Sequence, residues 1–213
     1  VLVFDQALKF YIKLNMRLED EIVIFDWFRM HFAENPGMAF GMTFGGDNGK
    51  LFLTLFRMVA VGFIGYYLYT LIQKNASRGL IISISLILAG ALGNIVDSVF
   101  YGVVFSESTI YQKAAFFTDT DHFLQSGGAY GKWFHGKVVD MLYFPMIEGR
   151  FPDWVPFWGG EYFLFFRPIF NIADSAITVG VFLIILFQKR FFEETQKAEM
   201  EMNGTSEPTE AKA

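Results

Sequence analysis

Two aspartates stand where an ionisable group is costly. Residues 80–104 are mostly apolar with one charge, Asp97, and residues 168–187 are mostly apolar with one charge, Asp174. A carboxylate at the centre of a membrane helix costs about 2.5–3.5 kcal/mol, so each needs a partner or a task. Each also follows an asparagine three residues earlier (Asn94 before Asp97, Asn171 before Asp174), which puts each pair on one helix face. A third carboxylate, Asp140, lies inside the apolar run Val138-Val139-Asp140-Met141-Leu142-Tyr143-Phe144. A buried carboxylate can be partnered by a second one if the two share a proton, because like charges cannot both ionise at close range. Asp5 and Lys9, spaced i,i+4, can pair on one face. The bland alternatives stay open on spacing alone. The Asn–Asp pairs would equally serve as polar contacts fixing a helix bundle, and Asp5–Lys9 as an interfacial anchor with a snorkelling lysine.

Other chemistries fit poorly. The chain has no cysteine, which removes thiol catalysis, disulfides and cysteine-ligated zinc. His31, His122 and His135 lack the spacing of a zinc protease. Asp119-Thr120-Asp121-His122 lacks the glycine and terminal glutamate of a calcium loop and reads as solvated. No metal and no organic cofactor is expected. The net charge of −5 argues against a nucleic-acid partner.

The elements that must position these groups read as membrane-embedded. Hydrophobic residues make up 53% of the chain against 18% charged, and the mean hydropathy of +0.35 is high for a soluble domain. Residues 51–72, 80–104 and 168–190 are each long enough to cross a bilayer. Residues 1–11 read as the outer half of a first span whose beginning lies outside this chain. Lys74 and Arg78 sit between the second and third spans, and Lys189 and Arg190 follow the last. Basic residues favour the cytoplasmic side, so residues 19–50 and 105–167 face outward. Residues 21–32 are aromatic and β-branched, followed by the turn Asn35-Pro36-Gly37 and a second apolar stretch, 38–44. A small extracytoplasmic β-sheet on the membrane surface is expected there. Residues 105–167 form a long extracytoplasmic loop region, with Trp133, Trp154, Trp158 and Tyr162 suited to an interfacial belt. Residues 193–213 have the composition of a disordered cytoplasmic tail. The expected fold is thus an integral membrane, mainly α protein of four transmembrane helices, with one domain over residues 1–192.

Five blocks, in order along nearly the whole chain, resemble the lipoprotein signal peptidase (signal peptidase II) family. They are Asp5-Gln6-Ala7-Leu8-Lys9, Asn35-Pro36-Gly37-Met38-Ala39-Phe40, Gly90-Ala91-Leu92-Gly93-Asn94-Ile95-Val96-Asp97, Val138-Val139-Asp140, and Phe170-Asn171-Ile172-Ala173-Asp174. Each is weak alone, but five in register are specific. The resemblance implies a multi-pass aspartic endopeptidase of the bacterial inner membrane, acting as a monomer with its site toward the outer face. Its substrate would be a prolipoprotein whose cysteine carries diacylglycerol, cut just before that cysteine. Asp140 and Asp174 would be the catalytic pair. Asn35, Gly37, Asn94 and Asn171 would bond substrate or orient the aspartates, and Asp97 would hold the site from the third helix. Asp5 and Lys9 would tie the first helix to the outside sheet, which would clamp the lipid-bearing substrate.

Two departures stand out. The family has arginine directly after the aspartate of its Gly-Asn-x-x-Asp block, where this chain has Ser98, leaving Arg167 as a candidate replacement. The stretch between Ser98 and Asp140 is also about 30 residues longer than usual, enough for an extra outside loop to cover the substrate cleft or bind a partner. A small transporter with Asp97 and Asp174 as proton relays, or a membrane scaffold, are the competing readings; the internal symmetry that many transporters show is absent from the hydropathy.

Overall fold

A computed structural model describes residues 1–36, 46–165 and 168–204. Three of its helices are long and apolar enough to cross a membrane: α2 (Gly46–Gln73), α3 (Arg78–Val96, continued to Val104), and α6 (Ile172–Gly204). They follow α1 (Leu2–Asn15) and the strands β1 (Glu21–Phe25) and β2 (Phe28–Asn35). After α3 come a π turn (Asp97–Tyr101), a last turn α4 (Gly102–Val104) and a short α5 (Thr120–Gln125). Strands β3 (Val138–Tyr143), β4 (Ile147–Arg150), β5 (Tyr162–Phe165) and β6 (Ile169–Phe170) lead into α6.

The solvent logic of α1 is inverted. Its buried residues are Asp5, Lys9, Ile12 and Lys13, one face by helical spacing, whereas Val3 and Phe4 are 79% and 76% exposed. A soluble helix would hide the valine and phenylalanine; a helix in lipid hides its charges. α2 shows the same outward apolarity, with Phe52, Phe63 and Tyr66 exposed.

α3 and α6 approach closely because the residues between them are small. A Cβ on Gly90 would lie 2.3 Å from the Ala173 carbonyl oxygen, and one on Gly180 would lie 2.6 Å from that of Ser83. Such small-residue seams let helix backbones meet where lipid offers no hydrophobic drive for association.

The sheet has the order β1-β2-β3-β6, all antiparallel. The hairpin turns at Asp26–Trp27, so the aromatic stretch 21–32 is two strands rather than one. β3 is central and pairs Ala33 with Asp140 on one side and Leu142 with Phe170 on the other. Below it, Ile12, Met16, Phe32, Tyr101, Phe105, Val139 and Met141 form the core that joins α1, the sheet and the end of α3.

Several boundaries differ from the sequence reading. Pro168 does not open the last helix. It precedes the two-residue strand β6, and the helix starts at Ile172 because Asn171 supplies the cap. The same helix runs on to Gly204, so residues 193–204 are helical rather than tail; Arg190–Glu194 pairing at i,i+4 and Lys74–Glu199 support it. α1 extends to Asn15, and α2 begins at Gly46 within the stretch assigned to the outside sheet. The second apolar stretch, 38–44, and residues 205–213 lie outside the described residues.

Candidate active site

The site is built around the first turn of α6. The Asn171 side-chain oxygen accepts from the Asp174 backbone N–H at 2.8 Å, and Asp174 Oδ2 accepts from the Asn171 N–H at 3.4 Å. This reciprocal arrangement is a capping box. Asp174 is therefore the third residue of its helix, nearer the rim than a helix starting at Pro168 would place it. The Asn171 amide points the other way, donating to Asp140 Oδ1 at 2.7 Å and to the Val139 carbonyl at 3.3 Å. One fully buried asparagine thus holds a carboxylate on β3 and a carboxylate on α6.

Asn94 completes the bridge from α3. Its Nδ2 donates to Asp174 Oδ1 at 2.7 Å, and its Oδ1 accepts from Asn171 Nδ2 at 3.1 Å and from Lys9 Nζ at 2.9 Å. An ammonium can only donate, so Lys9 forces the Asn94 oxygen toward itself and the amide hydrogens toward Asp174. Lys9 is fully buried and also pairs with Asp5 at 3.0 Å and with Asp97 at 2.8 Å. Asp97 accepts further from Gln6 Nε2 at 2.9 Å and from the Val139 N–H at 3.1 Å, fixing the residue before Asp140. Asp5 accepts from the Ala173 N–H at 2.9 Å, placing a negative charge at the N-terminus of α6, where the helix dipole favours it.

Asp140 is 4% exposed and Asp174 half-buried. Burial, reinforced by the nearby charge of Asp174, pushes the Asp140 carboxyl up to about 7, against the pull of Lys9 and of hydrogen bonds from Asn35 and Asn171. The arrangement is a pair of carboxylates that cannot both ionise cheaply, one sequestered and one open to a cavity of about 260 Å³ between α2, α3 and α6. That cavity is lined by Arg57, Ala60, Val61, Asn94, Asp174 and Ile177, among others.

The structure brings Asp140, Asp174, Asn35, Asn94, Asp97, Asn171, Asp5 and Lys9 into one connected cluster. Gly37 and Arg167 lie outside the described residues. One expectation needs correction: Asp5 and Lys9 bind the first helix to α3 and α6, not to the sheet. Their reach is set by the buried face of α1, which meets those helices. The tie to the sheet is made one turn on, by buried Lys13 pairing with Glu34 of β2 and bonding Ser108 at 2.9 Å. Burial raises the Glu34 carboxyl, but Lys13 and Lys137 outweigh it and hold it below the ordinary value. Gln6 and Tyr101 were also missed as site residues. Tyr101 donates to Gln6 Oε1 at 3.1 Å and so aims the Gln6 amide at Asp97. Their signal was faint: a tyrosine one turn beyond Asp97, and a glutamine between Asp5 and Lys9.

The model of one protein family, described as Signal peptidase (SPase) II, matches residues 1–190. The chain belongs to that family. A lipoprotein signal peptidase of Porphyromonas gingivalis is 51% identical over 191 residues, 89% of this chain and 80% of that protein. One of Amoebophilus asiaticus is 38% identical over 196 residues, 90% of this chain and 75% of the relative. A solved bacterial membrane enzyme is 24% identical, with a TM-score of 0.49 over 87% of this chain and 84% of that one. Membership of the signal peptidase II family makes the chain an aspartic peptidase, a hydrolase.

Proposed function

We propose that this chain is an intramembrane aspartic endopeptidase that removes the signal peptide from prolipoproteins, cutting before a diacylglyceryl-modified cysteine, with Asp140 and Asp174 as its catalytic pair. The observation that carries the assignment of the pair is Asn171, which caps the helix of one carboxylate and hydrogen-bonds the other.

Asp140, the more buried, enters with the proton; Asp174, facing the cavity, enters as carboxylate. Asp174 takes a proton from a water molecule as its oxygen attacks the scissile carbonyl carbon, and Asp140 gives its proton to the carbonyl oxygen. The tetrahedral species then collapses. Asp140 recovers a proton from the hydroxyl, the C–N bond breaks, and Asp174 delivers its proton to the departing amine. The pair ends as it began, one proton between two groups, so the pH limbs of activity belong to the pair.

In this reading α1 is the outer end of a fourth span, and the sheet and the 105–167 region face outward from the bacterial inner membrane. The basic residues Lys74, Arg78 and Arg190 gather at the opposite end. There Ser77 donates to Glu194 at 2.5 Å, roughly 30 Å along α6 from Asp174 at about 1.5 Å per residue. The sheet supports a lipid contact. Ile22, Val23, Phe25 and Trp27 are exposed, and Trp27, Phe28 and Phe170 each stack on Phe144, the last beside Asn171. Exposed aromatic and aliphatic groups of this kind suit a bilayer interface. The enzyme acts as a monomer.

The test is a gel-shift assay on a purified diacylglyceryl-modified prolipoprotein. Wild type is expected to cleave, and Asp140→Asn and Asp174→Asn each to give no product while remaining folded in detergent. Turnover by either variant would remove that residue from the chemistry.

A further inference from the structure

Arg57 is the charged residue of an otherwise apolar stretch of α2. Its neighbours Phe56 and Val59 are 61% and 59% exposed, as lipid-facing residues would be, whereas Arg57 is half-buried and lines the cavity it shares with Asn94 and Asp174. A guanidinium within a span is costly unless it meets opposite charge. Asp174 and Asp140 are the carboxylates whose charge acts on it.

The charge balance around the pair gives this placement a purpose. Among the described residues, α1 contributes Asp5 and Lys9, α3 contributes Asp97, β3 contributes Asp140 and α6 contributes Asp174. Lys9 is already held between Asp5 and Asp97. Position 98 supplies no cation from α3, since Ser98 is buried with its Oγ donating to the Asn94 carbonyl at 2.9 Å. An ionised member of the pair would otherwise add negative charge to a cluster that is already negative.

We propose that Arg57 is a positioning residue of the peptidase site, supplying from α2 the positive charge that lets the Asp140–Asp174 pair hold a single proton inside the membrane. The proposal rests on the pair being catalytic. It makes α2 part of the site rather than a lipid-facing wall, since the charge is present only when α2 is packed against the cavity.

The experiment is the pH profile of kcat/KM for cleavage of the diacylglyceryl prolipoprotein by wild type, Arg57→Met, Arg57→Lys and Arg57→His, with Asp174→Asn as control. Removing an arginine eases insertion of the span, so Arg57→Met is expected to fold. It should lose about 10²-fold activity, in the range for removing a preorganised charge from an active site. Its acidic limb should move up by about one pH unit, as when a carboxylate loses an adjacent cation. Arg57→Lys should keep the wild-type limb. Arg57→His should lose activity on the alkaline side, where the imidazole discharges and the lysine does not; this signature survives even if Arg57→Met fails to fold. A wild-type profile for Arg57→Met, or matching alkaline limbs for Arg57→His and Arg57→Lys, overturns the proposal. If Asp174→Asn itself cleaves, the catalytic pair is wrong and the proposal falls with it.

Discussion

Asn171 and Asp140 are joined by a 2.7 Å hydrogen bond, although one caps a membrane helix and the other sits mid-strand in the sheet. The asparagine therefore does two separable things. Asn171→Ala should cost about 1 kcal/mol through the lost cap and should reduce cleavage far more than that stability loss explains. Asn171→Ser keeps a capping oxygen but cannot reach Asp140. Its melting temperature should approach wild type while its activity stays near that of Asn171→Ala. Equal recovery of both quantities would mean that the asparagine only caps.

Asp140 links stability to pH. Its carboxyl is raised from 3.8 to about 7 in the folded state, so the native protein binds this proton more tightly than the unfolded chain does. The group's contribution is fully favourable below pH 4 and is lost as pH rises toward 7. Asp140→Asn, which cannot ionise, should match wild type near pH 4 and be more stable at pH 8 by on the order of 4 kcal/mol. Melting curves in detergent from pH 4 to 9 measure the gap; a constant offset across that range would contradict the burial argument.

Lys9 is the hub of three polar partners, Asp5, Asp97 and Asn94. Lys9→Met should destabilise by about 3–5 kcal/mol because it leaves buried carboxylates uncompensated. Adding Asp97→Asn should recover part of that loss, and a double-mutant cycle reads the coupling directly. Asp97→Ala alone should act mainly through stability; a normal melting temperature with lost cleavage would place Asp97 in the chemistry instead.

Gly90 sets the height of the first turn of α6. A Cβ there would press on the Ala173 carbonyl at 2.3 Å, beside Asp174. Gly90→Ala should cost about 1–3 kcal/mol, as overpacking does, and should lower kcat because the first turn of α6 is displaced. Unchanged kcat in a destabilised variant would show that α3 rather than α6 gives way.

Much of this cluster was readable in the chain because the bilayer makes polar residues conspicuous. Asp97 and Asp174 announce themselves inside apolar runs, and Asn94 and Asn171 follow by helical spacing. Asp140 was harder, since its partners Asn171 and Asp174 are brought to it by the pairing of β3 with the distant β6, which no local pattern encodes. Lys13 and Glu34 went unremarked because each looks like an ordinary surface charge until the fold closes over both. The start of α6 was misplaced because Pro168, at the head of the apolar run, suits the first turn of a helix, and only the pairing of Leu142 with Phe170 makes the residues after it a strand.

The 105–137 excursion leaves α4 and comes back to the place it left. Gly131, Phe134 and Gly136 donate through their backbone N–H groups to the carbonyls of Gly102, Val99 and Ser98, at 2.8, 3.1 and 2.8 Å. Gly136 has no room for a side chain, since a Cβ would lie 2.0 Å from the Asp97 carbonyl oxygen. With both ends clipped to the π turn, the cost of a longer excursion grows only slowly, about 0.6 kcal/mol per doubling. Phe105 and Ala114 stay packed in the core and Ser108 stays bonded to Lys13, so the length and sequence that can change without shifting the strand that begins at Val138 are those of the largely exposed stretch 117–129. The protein thus confines its room for variation to one exposed span, set off from the polar cluster by a buried collar on one side and the backbone clips on the other.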